Sequence, residues 1–252
     1  MRVKAIKTKV FYPPQDDLYA VLRKGLRQVH EGSIIAIASK VVSIHQGRCV
    51  RKDSVKSKDE LIIKEADKYI PRRFVPGGYA VLTIKHNILI PSAGIDASNS
   101  GEYYVLWPKQ PEKIAKEIWQ WLRKTYRVKK VGVVITDSHT VPMRRGVLGI
   151  GLGHYGFRPI NDYRGTKDLF GRKFKVSTTN VVDALAGAAV FAMGEGTEQT
   201  PLVVISDVPQ VAFTAQPYRP RKKYSAFTIG WDEDLYGPLL KRITWKSHGN
   251  RN

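Results

Sequence analysis

Asp137 and Ser138 close the run Val131-Gly132-Val133-Val134-Ile135-Thr136, five of whose six residues are β-branched. Such a run belongs to a strand buried on both faces. A carboxylate at its end is costly unless a cation meets it. The hydroxyl directly after it completes a pair able to hold a divalent metal beside phosphates. Two further acidic turns stand in comparable places. Asp96 and Asn99 follow the apolar Ile88-Leu89-Ile90 in a turn of small residues, a spacing that also serves an ordinary turn and cap. The loop Met193-Gly194-Glu195-Gly196-Thr197-Glu198-Gln199-Thr200 offers amides for a phosphate and two carboxylates, Glu195 and Glu198, for a metal; a plain helix-to-strand connection has the same composition. Hard oxygen donors of this kind suit Mg2+ or Mn2+. One cysteine and six scattered histidines show no zinc-ligand spacing. Arg144 and Arg145 are placed to clamp a phosphate, or simply to form a solvated basic turn.

Familiar single motifs do not explain these residues. Gly151-Leu152-Gly153-His154-Tyr155-Gly156 fits GxGxxG, but that fingerprint needs a helix beginning inside it, and Pro159 follows closely. The glycines instead suit close backbone packing in a strand or bulge. No P-loop is present. Ser138 and His139 cannot act as a hydrolase dyad, because neighbours on an extended chain point to opposite faces.

The elements that must position these turns are legible in outline. Apolar spacing after Pro13-Pro14 predicts a helix over 16–27 with acids in its first turn, and Ile34 to Ala38 reads as a strand. Ser57-Lys58-Asp59-Glu60 has a capping-box pattern and predicts a helix to about Tyr69. Tyr79 to Ile84 and Ile88 to Ile90 read as paired strands across His86-Asn87. Pro111 and Glu112 open a helix through Arg127, with Ile114, Ile118, Trp121 and Leu122 on one stripe. The acid-bearing strand is expected to end at Asp137. Asn180 and Asp183 start an Ala-rich helix that Gly194 stops. Pro201 to Ser206, and then Phe227 to Trp231, complete the expected strands, with an exposed basic loop over 216–223. Strands and helices do not alternate strictly, so a mixed α/β (α+β) fold with substantial antiparallel pairing is expected. The division anticipated is a 1–208 domain and a basic 209–252 extension packed on it or continuing it.

The chain of 252 residues is 42% hydrophobic and carries a formal charge of +20, enough for a real core and a strong positive field. No apolar run approaches the ~20 residues of a membrane span, and the single Cys49 suits a reducing, cytoplasmic setting. The basic clusters Arg219, Arg221, Lys222, Lys223 and Lys241, Arg242, Lys246 come without a nucleic-acid module. Attraction of acidic substrates accounts for the charge more simply than nucleic-acid binding does.

The segments Ser39-Lys40-Val41-Val42-Ser43, Ala93 to Asn99, Ile135 to Ser138, Asp162-Tyr163-Arg164-Gly165, Asp168 to Arg172 and the Met193 loop occur in that order. Together, from about residue 8 to residue 208, they resemble the coenzyme F(420)-0:L-glutamate ligase family of γ-glutamyl ligases. The resemblance implies that GTP or ATP activates an acceptor carboxylate as an acyl phosphate and that the amine of L-glutamate displaces the phosphate. Carried over by position, Asp96 and Asp137 hold one Mg2+ or Mn2+, while Ser138 and Glu195 hold a second. Ser39, Lys40, Asn99 and Met193 to Thr200 contact the nucleotide, and Phe11, Tyr12, Pro13 and Pro14 line its base or ribose. A homodimer with active sites near the interface is also implied. The chain departs from the family's pattern at Ile44-His45, where a second lysine is usual, at Glu195, where glutamine is usual, and at Phe11 to Pro14. These departures incline the expectation towards a folate-type acceptor over deazaflavin F(420)-0; acceptors of both classes are acidic. The rival expectations are an RNA-associated binding protein on a ligase-like fold and a metal-dependent phosphohydrolase.

Overall fold

The computed structural model describes residues 1–216 and 227–249. Among them the strands are β1 (Arg2–Ile6), β2 (Ser33–Ala38), β3 (Cys49–Arg51), β4 (Lys68–Ile70), β5 (Leu82–Lys85), β6 (Ile88–Pro91), β7 (Tyr103–Val105), β8 (Val131–Thr140), β9 (Val147–Tyr155), β10 (Ile160–Asp162), β11 (Thr178–Asn180) and β12 (Leu202–Ser206). The α-helices are α1 (Leu18–Gly25), α2 (Ser39–His45), α3 (Lys58–Glu65), α4 (Pro111–Tyr126), α5 (Val181–Met193) and α6 (Gly237–Arg242).

A five-stranded sheet ordered β1-β12-β2-β8-β9 divides the molecule, and within it only β2 and β8 run parallel. The fold is therefore mixed α/β with substantial antiparallel pairing. Period-two alternation sends Ile35, Ile37, Val131, Val133 and Ile135 to one face, under α1 and α4, and Ile34, Ala36, Val134, Val203 and Ile205 to the other, under α5. The third cluster, around Leu61, Ile62, Val81, Ile95 and Leu106, packs α3 against the small β4-β5-β6 sheet and the β3-β7 pair.

Gly151 and Gly153 of the rejected nucleotide fingerprint lie in β9 with Gly149, and Gly156 follows directly after it. A Cβ at Gly149 would strike the Ala186 carbonyl and one at Gly151 the Val182 side chain, both in α5, whereas one at Gly153 would strike the backbone of Pro111 in α4. The switch of face has a local cause. Ile135 pairs with Gly153 and Thr136 with Gly151, so Leu152 is an extra residue in the ladder, a bulge that inverts the alternation.

Several boundaries differ from expectation. Asp17 caps α1 by accepting from the Tyr19 N–H, so the acids precede the helix and do not occupy its first turn. Helix α3 stops at Glu65, and Tyr69 lies in β4, paired with Thr83 on one side and bridged to Lys246 on the other. Strand pairing begins at Leu82, leaving Tyr79 exposed after the Pro76–Gly78 turn. Trp119, not Trp121, is the fully packed tryptophan of α4, because its indole N–H reaches the Val131 carbonyl. Phe227 to Trp231 form no strand; Phe227 packs its ring edge-on to His154 and Lys68 lies over Trp231. The expected basic loop falls almost wholly within 217–226, outside the described residues.

Candidate active site

Strand β2 ends at Ala38, opposite Thr136, and the chain turns at once into α2. Strand β8 does not stop at Asp137. It continues to Thr140, paired only with β9, so its other edge is left open from Asp137 onward. A cavity of about 430 Å³ fills that opening, beyond the carboxyl ends of the two parallel strands, where ligands of α/β sheets characteristically bind. Its wall includes Ser39, Lys40, Asp96, Asn99, Asp137 and Ser138, and the whole Met193–Thr200 loop. Residues from three separate turns thus meet at one place.

Each turn is held by identifiable contacts. Ser92, Ala93 and Gly94 take left-handed backbone angles, and a Cβ at Gly94 would run into the Trp107 indole. The close approach lets the buried Trp107 donate its indole N–H to Asp137 Oδ2. Asp137 Oδ1 accepts the Ser138 N–H at 3.0 Å. Asp96 is ladder-bonded to Val105 in both directions and accepts the Ser98 N–H at 2.6 Å. Lys40 Nζ lies 2.6 Å from Asp96 Oδ2 and 3.0 Å from the Ser98 carbonyl. Asn99 Nδ2 donates to the Gly196 carbonyl at 3.0 Å, and Ser138 Oγ donates to Glu195 Oε2 at 3.3 Å. These last two bonds tie the 193–200 loop to both acidic turns. Within the loop, Glu198 accepts the Gly196 N–H at 2.9 Å, so its own carboxylate now sits where an anion would meet that amide.

The wall carries four carboxylates, Asp96, Asp137, Glu195 and Glu198, against two lysines, Lys9 and Lys40. In a chain of net charge +20 this is a local inversion of sign. Lys9 is engaged by Asp16 at 2.7 Å and Lys40 by Asp96. Burial raises the Asp137 carboxyl to about 6; the Asp96 charge adds to the rise, and the Trp107 and Ser138 donors offset part of it. Burial also pushes Asp96 upward, but Lys40 beside it brings the net shift below the ordinary value. Among the described residues no three His, Cys, Asp or Glu side chains form a ready metal cluster. Of the expected metal donors, Ser138 and Glu195 are hydrogen-bonded to each other, and Asp96 is near enough for its charge to raise the Asp137 carboxyl. Hard oxygens and an unneutralised buried acid fit Mg2+ or Mn2+, whose remaining ligands are normally phosphate and water.

Other expected site residues stand elsewhere. Phe11 lines the cavity and is buried, but Tyr12, Pro13 and Pro14 do not line it, and Tyr12 is 66% exposed. Arg144 and Arg145 occupy the exposed tip of the β8–β9 hairpin, outside the cavity wall, because β8 runs on past Asp137 and carries them away. His45 turns from the cavity to α1, where its Nδ1 lies 3.3 Å from the Leu18 N–H; Ile44 is the residue of that pair on the wall. Asp162 to Arg172 belong to a self-bonded arm. There Asp162 pairs with Arg164, and Asp168 accepts the amides of Phe170 and Arg172. Trp107 escaped the sequence reading. The one hint of it was the run of small residues Ser92-Ala93-Gly94, which marks a backbone that something bulky approaches.

The family model for F420-0:Gamma-glutamyl ligase matches residues 5–207. This chain belongs to that family. The match covers every segment that forms the cavity and stops just after β12. Among curated relatives, the chain is 31% identical to the coenzyme F420:L-glutamate ligase of Methanopyrus kandleri, over 81% of this chain and 86% of that protein. It is 33% identical to the enzyme of that name from Methanococcus maripaludis strain C6, over 72% and 78%, and 31% identical to the one from Methanocaldococcus jannaschii, over 70% and 76%. Family membership accords with the amide-forming chemistry expected from the sequence. No helix among the described residues is long and apolar enough to cross a membrane.

Proposed function

We propose that the cavity joins L-glutamate to an acidic acceptor at the expense of GTP or ATP, with deazaflavin F(420)-0 as the acceptor. The observation that carries this reading is the convergence of Asp96, Asp137, Ser138 and the 193–200 loop on one cavity at the end of the parallel strand pair. The names of the relatives favour the deazaflavin acceptor over a folate-type one. In the first step an acceptor carboxylate oxygen attacks the γ-phosphorus, the bond to the β-phosphate oxygen breaks and the nucleoside diphosphate leaves. In the second, the neutral glutamate amine attacks the acyl carbon, the C–O bond to phosphate breaks, and phosphate and the amine's proton depart. Both steps bring anions together, which bound Mg2+ or Mn2+ would offset. Asp96 with Asp137, and Ser138 with Glu195, are the pairs that would hold the ions. Lys40 stands in the first turn of α2 to meet phosphate oxygens, and Asn99 fixes the loop through Gly196. When a triphosphate enters, Glu198 gives up the Gly196 amide to it.

A homodimer belongs to the same proposal. Leu169 is 99% and Phe170 90% exposed on the 162–176 arm, and Met143 and Phe191 are also bare. Large apolar side chains left open in this way suit a second copy of the chain.

The test measures phosphate release from GTP and ATP with Mg2+ or Mn2+, with and without glutamate, against F(420)-0 and folate-type acceptors. Release that requires glutamate and F(420)-0 together, with a product heavier by one glutamyl residue, is expected. Release indifferent to glutamate would point to a phosphohydrolase. Salt-sensitive RNA binding without such release would point to the binding protein.

A further inference from the structure

A second charged feature adjoins the 96–102 loop outside the cavity wall. Lys52 Nζ and Lys58 Nζ both stand 5.9 Å from the centre of the Tyr104 ring. They reach it from different elements, Lys52 from the turn after β3 and Lys58 from the first turn of α3. Two ammonium groups over one ring repel each other, and no described carboxylate forms an ion pair with either. The nearby acids are already committed, Asp59 to Arg72 at 2.5 Å, Asp53 to Arg51 at 2.6 Å and Asp96 to Lys40. Lys52 is fixed by donating to the Gly101 carbonyl at 2.5 Å, and its backbone N–H donates to the Glu102 carbonyl. Burial holds Lys58 below its ordinary value, while Asp96 pulls it up and Arg72 and Lys52 push it down. The position is coupled to the site as well. Tyr104 precedes Val105, the residue ladder-bonded to Asp96, and the loop between them carries Ser98 and Asn99 of the cavity wall.

We propose that Lys52 and Lys58, with the Tyr104 face between them, bind the anionic end of the acceptor, a phosphate or carboxylate group, so that its reacting carboxylate reaches past Asp96 into the cavity. This rests on the ligase reading and names the part of the site that takes the acceptor. The triphosphate is proposed to lie among the 193–200 amides of the cavity wall. Two cations beside one flat ring suit an acid attached to a larger body, whereas glutamate is small enough to lie wholly within the cavity.

The experiment uses the full chain with Lys52→Met, Lys58→Met and Lys58→Arg, each checked for an unchanged melting temperature. Binding of F(420)-0 is followed by its own fluorescence without nucleotide, and KM is measured for F(420)-0, glutamate and GTP. Each methionine variant should weaken F(420)-0 binding about tenfold, the worth of one charge-assisted contact, and raise the acceptor KM alone. Lys58→Arg should recover most of the loss. Unchanged F(420)-0 binding in both methionine variants, no binding to the wild type, or an equal rise in all three KM values overturns the proposal. A glutamate KM that rises alone also overturns it, assigning the lysines to glutamate. Wild-type binding of F(420)-0 that depends on the lysines, without any glutamylated product, would sink the ligase reading and leave the anion subsite standing.

Discussion

The two halves of β8 share a strand and almost nothing else. From Val131 to Thr136 the strand pairs with β2, from Val133 onward also with β9, and it is buried on both faces. From Asp137 to Thr140 it keeps β9 but has lost β2, and its side chains turn polar. The change of chemistry coincides with the loss of a neighbour. Where β2 departs into α2, the sheet no longer excludes solvent and a cavity opens. A carboxylate can be placed there without being entombed, and close enough to the core for its charge to be felt. The inner half therefore sets stability, and the outer half carries the residues to which the proposal gives the chemistry.

Substitutions should separate the halves. Asp137→Ala is expected to lower glutamate-dependent phosphate release on the order of a thousandfold, with the fold kept intact; near-normal turnover of the purified variant would refute the role given to the outer half. Ile135→Ala, two residues inward, should cost roughly 2–5 kcal/mol in denaturant unfolding, while the protein that remains folded turns over normally. A loss of activity without a loss of stability there would blur the division. Trp107→Phe keeps the ring but removes the donor to Asp137, and should weaken Mn2+ affinity about 10–100-fold, readable by electron paramagnetic resonance. Asp137→Asn tests the electrostatics directly. The folded carboxyl titrates at about 6, above its ordinary value of 3.8. Between those values the folded state holds a proton that the unfolded state has lost, so wild-type stability falls as pH rises through that window. In chelator, the asparagine variant should escape this fall and be the more stable above pH 6, by on the order of 1 kcal/mol for a half-buried group. Parallel pH-stability curves for the two proteins would contradict the assigned burial.

Much of this was legible in the chain itself, for local reasons. The β-branched run before Asp137 specifies a buried strand, and the caps Asn180–Asp183 and Ser57–Glu60 form as their spacing dictates. What escaped depends on partners distant in sequence. Nothing near Asp137 says that β2 ends one residue earlier in register, or that Trp107, thirty positions upstream, donates to it. Ser39 to His45 offered no element, since its Val41-Val42 and Ile44 suit a strand as well as the helix that tertiary packing selects. Arg144 and Arg145 were drawn towards the site by their nearness in sequence to Asp137, which an extended strand converts into distance. The motif at Asp168 to Arg172 proved self-contained, its glycine and aspartate shaping an arm instead of a wall.

The most direct test of the central claim is a Mn2+ titration of the whole protein in the presence of a nonhydrolysable GTP analogue, compared with Asp96→Ala and Asp137→Ala. Nucleotide-dependent binding of two ions per chain is expected, with the Asp96–Asp137 ion lost in either variant. Equal Mn2+ binding by all three proteins would contradict it.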